Sequence, residues 1–110
     1  MGFRYTTSGA ALLLALLLGG SPLAVGAQDA VLGKQVFMEL AQPPCQLCHR
    51  LAAAGAEGVI GPDLDELGPT AERVRLAVER GVGNMPAFSD TLSKEQIDAV
   101  ARYVAEAVRQ

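Results

Sequence analysis

The run Cys45-Gln46-Leu47-Cys48-His49 constrains this chain more than any other feature. Two thiols two residues apart, followed at once by an imidazole, form an attachment site for haem. Each thiol can add to one vinyl group, and the imidazole reaches the iron from the same short stretch of backbone. The rest of the chain must then fold around a porphyrin.

Other uses of a Cys-x-x-Cys pair meet specific objections. A structural zinc site takes four good ligands. This chain has two cysteines and one histidine, so a carboxylate or water would have to complete the set. A thioredoxin-type redox pair belongs in a βαβ surround, and no strand-like alternation flanks the motif. A plain disulfide would leave both the spacing and the adjacent His49 unexplained.

Residues 1–27 read as a cleaved secretory signal, with residues 28–110 as one domain. Arg4 supplies a basic start, an apolar stretch runs from Gly9 to Leu18, and Gly19-Gly20-Ser21-Pro22 breaks it. Val25-Gly26-Ala27 then presents short side chains where a signal peptidase reads. The apolar stretch is shorter than the roughly 20 residues a bilayer span needs, so an uncleaved anchor is the second reading and no stable membrane insertion is expected after cleavage. Export fits the motif, because covalent haem ligation is extracytoplasmic; the expected location is the periplasm.

Cleavage after Ala27 leaves 83 residues, a size at which a side-chain core alone is marginal. A bound haem would add a large apolar plate to that core. Beyond Ala27 the chain carries eight basic and twelve acidic residues, a net charge of −4. Such a balance excludes nucleic acid and anionic membrane surfaces as natural partners and suits either plain solubility or a partner presenting basic residues.

The pattern predicts an all-α domain of three main helices, with no convincing strand. The first spans about Asp29 to Ala41, with Asp29 as a cap and Val31, Leu32, Val36, Phe37 and Leu40 as its apolar face, and Pro43-Pro44 stops it. The second starts at the N-cap Thr70 after Pro69, carries Val74, Ala77 and Val78, and ends at Gly81. The third opens with the capping box Ser93-Lys94-Glu95-Gln96, with Leu92 placed to staple onto Ile97. Ile97, Val100, Ala101, Val104 and Val108 form its apolar face. The Gly- and Pro-rich stretches 52–68 and 82–91 read as loops.

What meets the second face of the iron decides between electron transfer and chemistry. Met1 leaves with the signal, which leaves Met38 and Met85. Met38 lies on the first helix, where packing explains it. Met85 lies 36 residues beyond His49 in the loop Gly81-Val82-Gly83-Asn84-Met85-Pro86-Ala87-Phe88. There glycines let the backbone approach a porphyrin and Pro86 stiffens the chain. Met85 is the expected sixth ligand.

The order of helix, Cys45-x-x-Cys48-His49, Gly61-Pro62-Asp63-Leu64, middle helix, Met85-Pro86 and final helix resembles the class I cytochromes c. The resemblance covers residues 28–110 and implies their fold, three main helices with loops wrapped around one covalently bound haem c. It implies thioethers at Cys45 and Cys48 and axial ligands at His49 and Met85. It implies that the Pro62 carbonyl accepts a hydrogen bond from His49 Nδ1, that Leu64 packs on the haem, and that Gly33 and Phe37 cross the last helix near Tyr103. Two departures stand out. The chain has no Trp to hold a propionate, and only Lys34 and Lys94 remain after Ala27, so the partner rules of lysine-rich relatives do not transfer. A finer likeness joins Pro44-Cys45-x-Leu47-Cys48-His49-x-Leu51-Ala52 and Gly61-Pro62-x-Leu64-Asp65-Glu66-Leu67 to the small cytochromes that accept electrons from bacterial sulfite dehydrogenases.

With both axial positions filled, the expected function is electron transfer without catalysis. Electrons would pass from a donor dehydrogenase, such as a sulfite dehydrogenase, to an acceptor oxidase or cytochrome, carried by a monomer. Ile60, Leu64 and Phe88 would keep water from the haem. The rival readings are a haem enzyme or gas sensor with a displaceable sixth ligand, to which Arg80 could contribute on the distal side, and a permanent haem subunit of a larger oxidoreductase. No second His or evident acid–base pair speaks for peroxide chemistry.

Overall fold

A computed structural model describes residues 23–110 and the scattered positions 1–3, 9, 11, 14 and 19. Most of the apolar signal stretch, and the break at Gly20-Ser21-Pro22, lie outside the described residues.

The first helix, α1, runs Leu23–Gln35 and passes into one π-helical turn, Val36–Leu40. It therefore begins ahead of Asp29, which is an interior residue rather than a cap. Nothing from Leu23 to Asp29 breaks a helix; Gly26 costs only about 1 kcal/mol. The Asp29 carboxylate instead pairs with Arg102 near the carboxyl terminus. The π turn also corrects the expected apolar face. The Ala41 N–H reaches back five residues to the Val36 carbonyl at 3.1 Å, so one extra residue is wound into the turn. Ala41 consequently takes the inward position, while Leu40 is left 44% exposed. Val31 also faces solvent, and the buried stripe narrows to Gly33, Val36 and Phe37.

The same turn faces Pro43 and Pro44. In its five-residue register, the Met38 and Glu39 carbonyls would look to the N–H groups of those prolines, which have none. Two glutamine side chains supply the donors: Gln46 Nε2 to the Met38 carbonyl at 2.7 Å and Gln42 Nε2 to the Glu39 carbonyl at 2.9 Å.

A one-turn helix, α2, comprises Cys45–Cys48. Directly after it, β1 (Arg50–Leu51) pairs antiparallel with β2 (Ala56–Glu57) around a 3₁₀ turn and Gly55, whose φ of 68° closes the hairpin. These two-residue strands correct the strand-free expectation; strands so short leave no alternation to read. A second one-turn helix, α3, spans Leu64–Leu67. The longer α4, Ala71–Arg80, starts where Thr70 Oγ1 accepts the Arg73 N–H and ends at Gly81 with φ 72°. The last helix, α5, Lys94–Ala107, carries the full capping box between Ser93 and Gln96. Three main helices are thus joined by two single turns too short to show a period.

Helix α5 is the floor of the fold, contacted by both α1 and α4. Its crossing with α1 depends on Gly33: a Cβ there would stand 2.4 Å from the Ala99 carbonyl oxygen and 2.5 Å from Tyr103 Cβ. One turn on, Phe37 meets Tyr103 with ring centroids 6.2 Å apart. Phe37, Val36, Leu51, Val100 and Val104 are the largest of the fully buried side chains.

Candidate haem site

The attachment motif folds as it does because Pro44, with φ −66° and ψ 145°, delivers an extended backbone into α2. The single turn then places Cys45, Cys48 and His49 on one wall of a cavity. Burial pushes the Cys45 thiol up to about 11. Among the described residues, no cluster of three or more His, Cys, Asp and Glu side chains could hold a metal ion.

His49 is fixed by a ladder with a constant offset. The Gly61 N–H donates to the Cys48 carbonyl at 2.7 Å, His49 Nδ1 lies 2.8 Å from the Pro62 carbonyl, and Arg50 pairs with Asp63 at 3.1 Å. The Ala52 N–H continues it to Asp65 Oδ2 at 2.8 Å. Each rung joins residue i to i+13, so the 61–65 segment runs alongside 48–52 in register. A carbonyl only accepts, so Nδ1 carries the proton, and in the neutral ring Nε2 is then the nitrogen with the lone pair that an axial ligand requires. Asp63 also caps α3 by accepting the Asp65 and Glu66 N–H groups. Partial desolvation pushes its carboxyl up, but the Arg50 hydrogen bond and those two amides outweigh this and hold it below the usual range.

Two glycines permit this close packing. At Gly58 a Cβ would stand 2.6 Å from the Cys48 carbonyl carbon and the His49 nitrogen. At Gly61 it would stand 2.7 Å from His49 Cε1.

Met85 lines the same cavity as Cys45, Cys48 and His49, and Met38 does not. The loop that carries it is clamped. Val82 and Met85 exchange two backbone hydrogen bonds, at 3.1 and 2.9 Å, across the Gly83-Asn84 turn. The Phe88 N–H then ties back to the Val78 carbonyl of α4 at 2.8 Å. Pro62 and Leu64 also line the cavity, with Leu64 only 8% exposed. Phe88, 4% exposed, is on the lining as well. Ile60 also lines the cavity, at its rim, with its side chain 76% exposed.

The cavity measures about 720 Å³ and is walled mainly by aliphatic, proline and phenylalanine side chains. That lies within the roughly 300–1,000 Å³ of small-molecule and cofactor sites. Two thiols at one rim, an imidazole with a free lone pair and a thioether on the lining suit an apolar disc bearing a metal. The residues fit a haem. Sequence reasoning missed Gln46 and Gln42, whose signal is the pair of prolines that orphans two carbonyls. It also missed the Arg50–Asp63 rung and Arg73, which reaches the cavity from α4.

Comparison with known proteins agrees with this geometry. A family profile described as cytochrome c oxidase, cbb3-type, subunit III matches residues 29–104. Chloroplastic cytochrome c6 of Chlamydomonas reinhardtii is 35% identical over 108 residues, covering 89% of this chain and 68% of its own. Cytochrome c6 of Tetradesmus obliquus is 36% identical over 86 residues, covering 69% of this chain and 88% of its own. The crystal structure of the c-type cytochrome SorU from Sinorhizobium meliloti superposes with a TM-score of 0.72 at 49% identity, covering 74% of this chain and 93% of that one.

Proposed function

The chain belongs to the cytochrome c family, a small class I member carrying covalent haem c for electron transfer, and from that premise we propose a periplasmic carrier with His49 and Met85 as axial ligands. The bound haem supplies one-electron exchange between Fe(II) and Fe(III). Cys45 and Cys48 anchor it as thioethers. His49, protonated at Nδ1 and held by Pro62, presents Nε2 to the iron. Met85 presents a soft sulfur that favours the reduced state, and Leu64 and Phe88 lower the polarity around it. With both positions occupied by protein groups, the chain binds no substrate at the metal and catalyses no reaction of its own.

The observation that carries this reading is the sharing of one cavity by Met85 and His49, with Met38 outside it. Export after cleavage at Ala27 completes the proposal, in keeping with a secretory amino terminus. The donor is a sulfite dehydrogenase and the acceptor an oxidase or cytochrome. The motif run around Cys45 and Gly61, with its likeness to the small cytochromes that serve sulfite dehydrogenases, supports that donor. A permanent subunit of a larger oxidoreductase is a second reading, favoured by the description of the matching family profile.

The test is an absorption spectrum of periplasmic protein in both redox states, with and without carbon monoxide. Wild type should show the weak ferric sulfur-to-iron charge-transfer band and refuse carbon monoxide. Met85→Ala should lose the band, lower the potential and admit the gas, and Met38→Ala should do none of this. Ready carbon monoxide binding by wild type, or loss of the band in Met38→Ala, would overturn the ligand assignment. The mass should equal the chain from Gln28 plus one haem; co-elution with a large complex after mild extraction would favour the subunit reading.

A further inference from the structure

We propose that Arg73 and Arg80 form the carboxylate-binding end of the cavity and hold the two haem propionates. Helix α4 carries three arginines, and the structure sorts them into two kinds. Arg75 is not on the cavity lining and is doubly engaged, with Glu72 at 2.6 Å and Glu79 at 2.8 Å. Arg73 and Arg80 line the cavity, and neither makes an ion pair with another described residue. They are seven residues apart, two turns or about 10.5 Å along the axis, and so share one face. Val74, Ala77 and Gly81 lie on the cavity beside them.

The remainder of the lining offers no other cation, since His49 is committed through Nδ1 to Pro62. A haem brings two carboxylates at one edge of an otherwise apolar plate. Carboxylates drawn against such a wall are costly unless each meets a donor, and a guanidinium is the side chain best shaped to supply two at once. No Trp is present for this role. The assignment rests on the haem lying in this cavity and is independent of which sulfur ligates the iron.

In uniformly ¹⁵N-labelled ferrous holoprotein, the Nε–H groups of Arg73 and Arg80 should show nuclear Overhauser contacts to the propionate methylene protons, and that of Arg75 should not. Arg73→Gln/Arg80→Gln should lose these contacts and have a lower midpoint potential, because two positive charges that favour the ferrous form are gone. Arg73→Lys/Arg80→Lys should restore most of the potential, and Arg75→Gln should leave it unchanged. All three sites are at or near the surface, so the variants should fold. Absence of both contacts, or a potential in the double glutamine variant no lower than in Arg75→Gln, would overturn the proposal.

Discussion

Gly61 lies so close to His49 that a methyl group on it would stand 2.7 Å from Cε1 and 3.0 Å from Nδ1 of the ring. The pair is locked from both sides. Gly61 is held by the Cys48 carbonyl, and the ring is held by the carbonyl of Pro62. Neither partner can retreat without breaking a rung of the ladder that sets the imidazole.

Gly61→Ala should therefore act on the ligand as well as on stability. Its φ is not in the left-handed region, so backbone strain is not the issue and the ring must give way. Overpacking of this kind costs about 1–3 kcal/mol. A useful control is Gly55→Ala, where φ is 68° and nothing lies within 4 Å. Both variants should melt at lower temperature, but only Gly61→Ala should shift the haem absorption bands and the midpoint potential.

At the α1–α5 crossing, two effects of Gly33→Ala oppose one another. Alanine gains about 1 kcal/mol of helix propensity. Its methyl group would meet the Ala99 carbonyl oxygen at 2.4 Å, and a backbone atom cannot swing aside. The clash should win, with a net loss of about 1–3 kcal/mol in denaturant titration and little change in the spectrum.

What the sequence disclosed followed the strength of each local signal. The attachment motif, Met85, the Thr70 cap and the Ser93 capping box are written in a few adjacent residues; the structure puts the motif and Met85 on one cavity and the two caps on the helices expected of them. The start of α1 is hidden in the sequence because Asp29 has the side chain of a cap, while its partner Arg102 lies 73 residues away. Leu40 and Ala41 exchanged roles because a π turn adds a residue that 3.6-residue periodicity cannot anticipate. The β1–β2 hairpin and the one-turn helices are too short to repeat. The i+13 ladder was visible only as the Gly61-Pro62 segment, since its other rungs pair charges and amides across a loop.

Acid should weaken that ladder at Asp63. Its carboxyl is held below the usual value, near 3.9 in an unfolded chain. Such a group contributes stability that is fully present above the unfolded value and is lost as pH falls through the folded one. Melting temperature should therefore drop more steeply below about pH 4 in wild type than in Asp63→Asn, which has no charge to lose. Equal slopes would show that the Arg50–Asp63 rung carries no linkage, as many exposed ion pairs do not.

Gln46 occupies a variable position of the attachment motif, yet its side chain has a defined task. Its amide is the donor for the Met38 carbonyl, which the prolines leave without a backbone partner. Gln46→Ala would leave that half-buried carbonyl unsatisfied, at a cost of about 1–3 kcal/mol. Gln46→Glu should cost at least as much at neutral pH, because a carboxylate has no donor and would face the carbonyl lone pairs. Lowering the pH until the carboxyl protonates should recover part of that loss, since the acid form can donate. The measurement is the unfolding midpoint of the ferric protein across pH for wild type and both variants. Midpoints for Gln46→Glu that match wild type at neutral pH would show that water caps Met38 equally well, and the side chain would then be free to vary.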